Sequence, residues 1–402
     1  MFNTFFLIGG IRVNILHISP YVPSLHTNHA GGVCMGKQVE ALRKKHNVFV
    51  LSFITMPLEE KLVKEEYDTN NSYFIRISNK DRIKQGLLHL NKPLMFSART
   101  SKEFKRKFLE IIKEKQIDAI HCEYTAMAQY IWVKEKYPNI IFNVVEHDVT
   151  RQSFYRKAND SKGLKKLFWK WQLNLATKWE KEYCSKANHV IAVNSKDERL
   201  LHEYYGLNNV ELMNPYYGVD FDDLSNKQVD KIKKSICFIG QMGREENHLA
   251  AIRLIQIVKS LNRDDIKLTI IGAHPNEELL KQECDNIHIT GFVDSIEDEI
   301  LKNEIAVFPL TLGAGIKLKV LLACGLGLPV ITTDIGAEGI DEDGSTLILA
   351  QTDEQIKNEI LDLIDNLDKI KLKSNESKEF VQKYFSWNKT VELFDRLYEV
   401  RK

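Results

Sequence analysis

The sequence predicts an α/β protein of two successive domains, each a parallel sheet flanked by helices, and three observations carry the prediction. The chain has 402 residues, 44% of them hydrophobic and 28% charged, and at roughly 150 residues per domain this is enough for two domains with separate cores. Short apolar runs of strand length alternate with helical patterns, the signature of core strands in a parallel sheet. That alternation restarts after residue 230.

The remaining composition narrows the class. The 56 Lys and Arg balance 55 Asp and Glu to a net charge of +1, without the domain-wide basic footprint that nucleic-acid binders carry. Six cysteines (Cys34, Cys122, Cys184, Cys237, Cys284, Cys324) show no paired short spacing, so neither a zinc site nor a disulfide framework is expected, only reduced, mostly buried thiols. The run Phe5 to Ile11 is far shorter than the ~20 residues of a membrane span and lacks the basic start and cleavage site of a signal peptide. A cytoplasmic protein is expected, with Met1 to Gly10 an extension ahead of the first strand.

In chain order, Val13 to Ser19 reads as a buried strand, followed by a loop, Gly31-Gly32 and a helix through Leu42. Asn47 to Phe53, Ala119 to His121, Ile140 to Val145 and His189 to Val193 continue the first series of strands. Ser235 to Gly240, Lys267 to Gly272, Ile287 to Phe292, Ile305 to Pro309 and Pro329 to Thr333 form the second. Two Rossmann-like domains follow, residues 1–215 and 216–385, with ligands expected at the carboxyl ends of the strands in the cleft between them. Segments 354–372 and 376–401 are helical by pattern, broken at Ser386-Trp387, and residues 386–402 are expected to return to the first domain.

The most informative stretch is Gly313-Ala314-Gly315-Ile316-Lys317-Leu318-Lys319, leading through Leu322 to Gly327-Leu328-Pro329. It reads as a small-residue loop after a strand, then a helix start. Glycines let the backbone approach a ligand, and unpaired N–H groups at a helix start face any anion placed there. Lys317 and Lys319 add positive charge suited to a diphosphate.

Around this loop, Phe238-Ile239-Gly240-Gln241-Met242, Asn247, Thr269-Ile270-Ile271-Gly272, Gly291-Phe292-Val293 and Pro329 to Gly339 occur in an order that resembles the donor-binding domain of the retaining, family 4 (group 1) nucleotide-sugar glycosyltransferases of GT-B fold. The first half is similar to their acceptor domain through Ile15 to Pro20, Gly31-Gly32, Glu146-His147-Asp148 and Val193 to Asp197, and Ser386-Trp387 precedes the returning helix. The resemblance implies transfer of a sugar from a nucleoside diphosphate to a glycan or lipid-linked acceptor, with retention and without a cofactor or bound metal, in bacterial surface-polysaccharide assembly. It implies that Gly315, Ile316, Lys317 and Leu318 hold the diphosphate by electrostatic stabilisation, that Gly31 and Gly32 approach the same phosphates, and that Gly240, Gly272, Phe292 and Val293 surround the nucleotide. His147 falls where relatives hold a histidine near the reacting sugar. Glu123 and Asp148 are the acceptor-side candidates, Glu123 also as a group orienting His147.

Departures from the pattern are equally specific. Relatives carry two glutamates flanking this loop and helix, and Ala314 and Leu322 occupy those positions. Loss of the second, a ribose hydrogen-bond acceptor, implies a cost of ~1.5–3 kcal/mol in donor affinity. Gln241 replaces the usual arginine and Asn247 the usual lysine, with Arg244 as the expected compensation. Leu322 motivates a rival reading, a catalytically silent nucleotide-sugar-binding or partner-supporting subunit. A nicotinamide-dependent oxidoreductase is weaker, because neither half shows Gly-x-Gly-x-x-Gly with its acidic follower. Lys162 to Trp171 is basic and aromatic; the preferred reading is a core helix with lysines outward, the other a peripheral membrane contact. Lys102 to Lys115 reads as a solvated helix face.

Overall fold

A computed structural model describes residues 12–27, 29–159, 161–224, 229–313 and 316–399. The chain forms two compact units, one of residues 1–218 with 387–402 and one of residues 219–386.

In the first unit, β1 (Asn14–Ser19), β2 (Asn47–Ile54), β3 (Ser72–Arg76), β4 (Ala119–Glu123), β5 (Ile141–Glu146), β6 (His189–Ala192) and β7 (Val210–Leu212) form one sheet in the order β3-β2-β1-β4-β5-β6-β7. Every pairing is parallel. Alternate residues of a strand face opposite sides, and the two core layers divide accordingly. Leu16, Ile18, Phe53, Ile120, Phe142 and Val144 pack with Phe104, Phe108 and Tyr130 on one side. Ile15, Val50, Ala119, Val145 and Ile191 pack on the other with Trp387, Leu393, Phe394, Leu397 and Tyr398 of the last helix, Trp387–Tyr398. That helix is thus part of the first unit's core. Thr390 Oγ1 ties it to both backbone groups of Asn214, donating to the carbonyl at 2.7 Å and accepting from the amide at 2.9 Å.

The second unit repeats the architecture with β8 (Ser235–Ile239), β9 (Lys267–Ile271), β10 (Ile287–Gly291), β11 (Ile305–Phe308), β12 (Val330–Thr332) and β13 (Ile348–Leu349), ordered β10-β9-β8-β11-β12-β13 and all parallel. In both sheets the strand order reverses once beside the first strand, between β1 and β4 and between β8 and β11. Loops leaving the carboxyl ends there diverge and leave room for a ligand.

Several expectations need correction. β3, β7 and β13 were not expected as strands; each is short and at or next to a sheet edge, without a continuous apolar run. The C-terminal segment holds three helices rather than two, Asp353–Ile364, Leu367–Tyr384 and Trp387–Tyr398, because Asn366 ends one and caps the next by accepting from the Lys369 amide. The Gly163–Lys186 helix buries Gln172, Ala176, Glu180, Tyr183 and Cys184, so it is a core helix only from Gln172 onward. Its first two turns expose Leu164 by 84% and Leu167 by 63%, against the reading of a buried apolar face with only lysines outward. The helix Lys102–Glu114 buries Phe104, Phe108, Ile111 and Ile112. Five of the six cysteines are buried and Cys284 is exposed, all as free thiols. The expected extension, Met1 to Gly10, lies outside the described residues.

Candidate active site

The first unit gathers four ionisable side chains at the β1/β4 reversal. Parallel pairing sets His17 of β1 opposite His121 of β4, with their rings stacked at 5.3 Å. Two residues further along β4, on the same face of the sheet, Glu123 is fully buried and accepts from three imidazoles. His17 Nε2 lies 3.3 Å and His121 Nε2 3.2 Å from its Oε1, while His147, just past β5, brings Nε2 to 2.6 Å from Oε2. His121 extends the network through Nδ1 to the Tyr398 hydroxyl at 2.6 Å and through Nε2 to Gln38 Oε1 at 2.8 Å. Burial pushes the Glu123 carboxyl up, but hydrogen bonds from His121, His147 and His17 outweigh it and hold it well below the usual range. His17, by contrast, is pushed down, chiefly by burial.

This arrangement alters one expectation. Glu123 has no exposed surface, so it is not placed to meet an acceptor itself, and its link towards the surface is the hydrogen bond with His147. With Nε2–H given to the carboxylate, a neutral His147 keeps a lone pair on Nδ1, and the Tyr124 ring stacked on it at 3.9 Å fixes its plane. Asp148 is exposed on the following residue. His17, His121 and Glu123 also each offer one ligand atom within 4.8 Å of the others, a donor set one divalent cation is able to bridge; Glu123 is joined here to both rings by hydrogen bonds.

Gly31 and Gly32 open the Ala30–Lys45 helix. A Cβ on Gly31 would strike the Tyr124 hydroxyl, and one on Gly32 would strike Thr27 and the His29 ring. The glycines therefore admit neighbouring side chains of their own unit, a packing reason for both that the expectation of phosphate contact did not contain. Asn194, in a stretch noted for its resemblance, caps the Ser195–Tyr205 helix by accepting from the Asp197 amide at 2.8 Å.

The second unit places its candidates at the β8/β11 reversal. Gly240 follows β8 and Gly272 follows β9, and the two backbones touch. Gly272 has φ +142°, and a Cβ there would collide with the Gly240 carbonyl, so only glycine fits. Asn247, in the first turn of the Glu245–Lys259 helix, donates from Nδ2 to the Gln241 carbonyl at 2.9 Å. Lys317 precedes the Leu318–Gly325 helix and lies 3.7 Å from Glu338. Lys319, two residues on, reaches Asn247 and donates to its Oδ1.

Arg244, expected to replace the missing cations, has a side chain 68% exposed and 3.9 Å from Glu246, so Lys319 is the residue that meets Asn247. Sequence reasoning named Lys319 only as added charge, because 72 positions separate it from Asn247. Ile316, ahead of the Leu318–Gly325 helix, is half-buried; on the helix Leu318 is exposed and Leu322 half-buried. Gly315 lies outside the described residues, as does Ala314. Phe292 is 78% exposed, and with Val293 it borders an open groove of about 860 Å³ also lined by Asp294, Ser295, Asp298, Glu299 and Lys302. Three carboxylates stand on that wall, one of them, Glu299, paired with Lys302 at 2.5 Å.

Residues 31–222 match the family model described as Glycosyltransferase Family 4, and residues 233–366 the one described as Glycosyl transferases group 1. An uncharacterized glycosyltransferase of Methanocaldococcus jannaschii is 26% identical over 234 residues, 53% of this chain and 59% of that protein. The chain thus spans less than two thirds of the curated relative it matches. Among solved structures, a glycosyltransferase from Rickettsia africae aligns with TM-score 0.59 at 18% identity over 97% of this chain and 100% of that one. Anabaena HepE in complex with UDP gives 0.59 at 12% identity over 96% and 99%, and sucrose-phosphate synthase from Thermosynechococcus elongatus 0.57 at 15% over 96% and 98%. At such identities the structures speak for the two-domain α/β fold, and the two family matches, one on each unit, carry the assignment: the chain belongs to the family 4, group 1 glycosyltransferases of GT-B fold.

Proposed function

We propose that the protein transfers a hexosyl-type unit from a nucleoside diphosphate sugar to a hydroxyl of a glycan or lipid-linked acceptor, with retention at the anomeric carbon and without a metal ion, in surface-polysaccharide assembly. The bond from the anomeric carbon to the phosphate oxygen breaks, the acceptor oxygen takes its place, and its proton leaves with the nucleoside diphosphate. The observation that carries this reading is the clustering of Gly240, Gly272, Asn247, Lys317 and Lys319 at the β8/β11 reversal, cations beside close-packed glycine backbone where a diphosphate is held and its developing charge stabilised. HepE, of the same fold, has been crystallised with UDP and with UDP-glucose, which supports a nucleotide-sugar donor. In this scheme Glu338 holds Lys317 until phosphate displaces it, and His147 offers Nδ1 to a sugar hydroxyl.

Leu322 favours a second reading, a subunit that binds donor without turnover. A panel of nucleotide sugars incubated with the full chain separates the two by donor binding and slow donor hydrolysis. Binding with turnover that falls at least about 100-fold in Lys317→Ala and in His147→Ala is the expected result. Binding without turnover selects the silent subunit, and absence of binding to every donor rejects both.

A lipid-linked acceptor would bring the first unit to a membrane surface. Leu164, Leu167, Phe168 and Trp171 are exposed among Lys162, Lys165, Lys166 and Lys170. Exposed Ile83, Leu87 and Leu88 lie on the Asn79–Leu88 helix, in a segment tied to the same long helix where the Leu94 amide donates to Gln172 at 2.8 Å. Apolar side chains ringed by lysines suit an anionic lipid surface, and among the described residues no helix is long and apolar enough to cross a membrane. Co-sedimentation with phosphatidylglycerol vesicles, weak with phosphatidylcholine, is expected and should drop by roughly tenfold or more in Leu164→Asp/Leu167→Asp. Equal sedimentation of the variant would remove this face as the contact.

A further inference from the structure

We infer that Lys319, delivered from the Leu318–Gly325 helix onto Asn247, is the principal diphosphate-binding cation of the donor site. The assignment rests on the donor reading above and goes beyond it in naming which residue supplies the charge that residue 247 lacks.

The geometry fixes each partner in turn. Asn247 Nδ2 is committed to the Gln241 carbonyl, which leaves Oδ1 as the face presented to Lys319. The ammonium lies over the Phe238 ring, 5.0 Å from its centre, and among the described residues no carboxylate comes within salt-bridge distance of it. One of its three N–H groups is taken by Asn247, and no second protein acceptor is seen for the other two among those residues.

A lysine half-buried on an amide and a ring face is poorly compensated, since neither carries a formal charge. Burial above all pushes its amine down to about 8; nearby Glu246 partly offsets the effect, and the charges of Lys317 and Arg244 add to it. An arriving diphosphate supplies the missing counter-charge. Lys317 differs, because Glu338 already stands 3.7 Å away and must be displaced. The same geometry explains asparagine at 247: a lysine there would set a second ammonium against the first, whereas an amide oxygen accepts from it.

The test is calorimetric titration of the full-length protein with UDP, ADP and GDP at pH 7.0, comparing wild type, Lys319→Met and the exchange variant Asn247→Lys/Lys319→Asn, each checked for an unchanged melting profile. Methionine keeps most of the buried stem and removes the charge. Lys319→Met should weaken the best nucleotide by roughly 10- to 100-fold, the range of a lost charge-assisted hydrogen bond. The exchange variant, which returns one ammonium to the same space from the other helix, should recover most of that loss. Wild-type affinity for ADP, whose base does not titrate in this range, should also decline between pH 8 and 10 as the amine loses its proton, and this decline should be smaller in Lys319→Met. If wild type binds and Lys319→Met binds equally well, the assignment fails while the donor reading stands. Loss without recovery in the exchange variant also overturns it, because the lysine then acts otherwise than as a cation at that place. If wild type binds none of the three nucleotides, the donor reading fails and takes the assignment with it.

Discussion

Glu123→Gln should lower the rate of sugar transfer by about 10²- to 10⁴-fold while leaving donor affinity nearly unchanged, as expected for a residue that orients, through one hydrogen bond, an imidazole offered to the substrate. The carboxylate accepts from His147 at one oxygen and from His17 and His121 at the other. An amide keeps only one acceptor. If its oxygen stays with His17 and His121, its N–H₂ faces His147 and forces Nε2 to accept. The His147 proton then moves to Nδ1, and the nitrogen offered to substrate changes from acceptor to donor.

The stability profile provides a second readout that a purely packing role would not move. Glu123 is held well below the ordinary range in the fold, so its contribution is fully present above the unfolded value near 4.5 and lost as pH falls below it towards the folded pKa. Wild type should therefore lose stability on acidification below about pH 4.5 more steeply than Glu123→Gln. Equal turnover in the two proteins, or parallel melting curves from pH 3 to 7, would exclude the hub.

The parts of the molecule that could be read in advance are those whose signal is local. β1, β5, β8 and β11 announce themselves as apolar, β-branched runs because both faces of a central parallel strand are buried. β3 and β7 mix polar residues with apolar ones, since an edge strand packs on fewer neighbours, and their composition resembles loop. The glycines and lysines near residue 315 were legible for the same reason, a short stretch holding a whole turn and helix start. Of the Glu123 network, the link to His147 was expected and the two further histidines were not. His17 and His121 are 104 residues apart and meet only because β1 and β4 pair in a register that sets them opposite one another. A signal was nevertheless present: histidine at 17, and histidine and glutamate at 121 and 123, inside otherwise apolar strands, where a buried polar group requires partners. The pairing of Lys319 with Asn247 was hidden in the same way, by two helices that converge only once the sheet order reverses between β8 and β11.

A buried charge conflict beside this site leads to an opposite pH dependence. Glu146 ends β5 without exposed surface, accepting from the Cys184 thiol at 3.2 Å and from Thr125 Oγ1. Glu180 lies near it, engaged by the Thr150 and Arg151 amides at 2.6 and 3.0 Å and by the Tyr205 hydroxyl at 2.5 Å. Burial, and then repulsion from Glu180, push the Glu146 carboxyl up to about 8. Glu180 is the better solvated by donors, so Glu146 is the one that keeps the proton at neutral pH.

The folded protein therefore holds a proton that the unfolded chain releases above pH 4.5, and stability falls as pH rises from about 4.5 to 8, then levels off with respect to this group. Glu146→Gln should relieve the loss. Its oxygen accepts from Cys184 and its N–H₂ donates to Thr125 Oγ1, which is free to turn its own proton towards Thr150 Oγ1 at 3.3 Å. The variant should match wild type near pH 4.5 and exceed it by on the order of 2–4 kcal/mol at pH 9, measured as the difference in urea unfolding free energy. Groups titrating in both proteins, Lys319 among them, cancel in that difference. A gap of the same size at pH 5 and pH 9 would mean that Glu146 is ionised throughout, and that Glu180 or a neighbouring donor has settled the conflict in its favour.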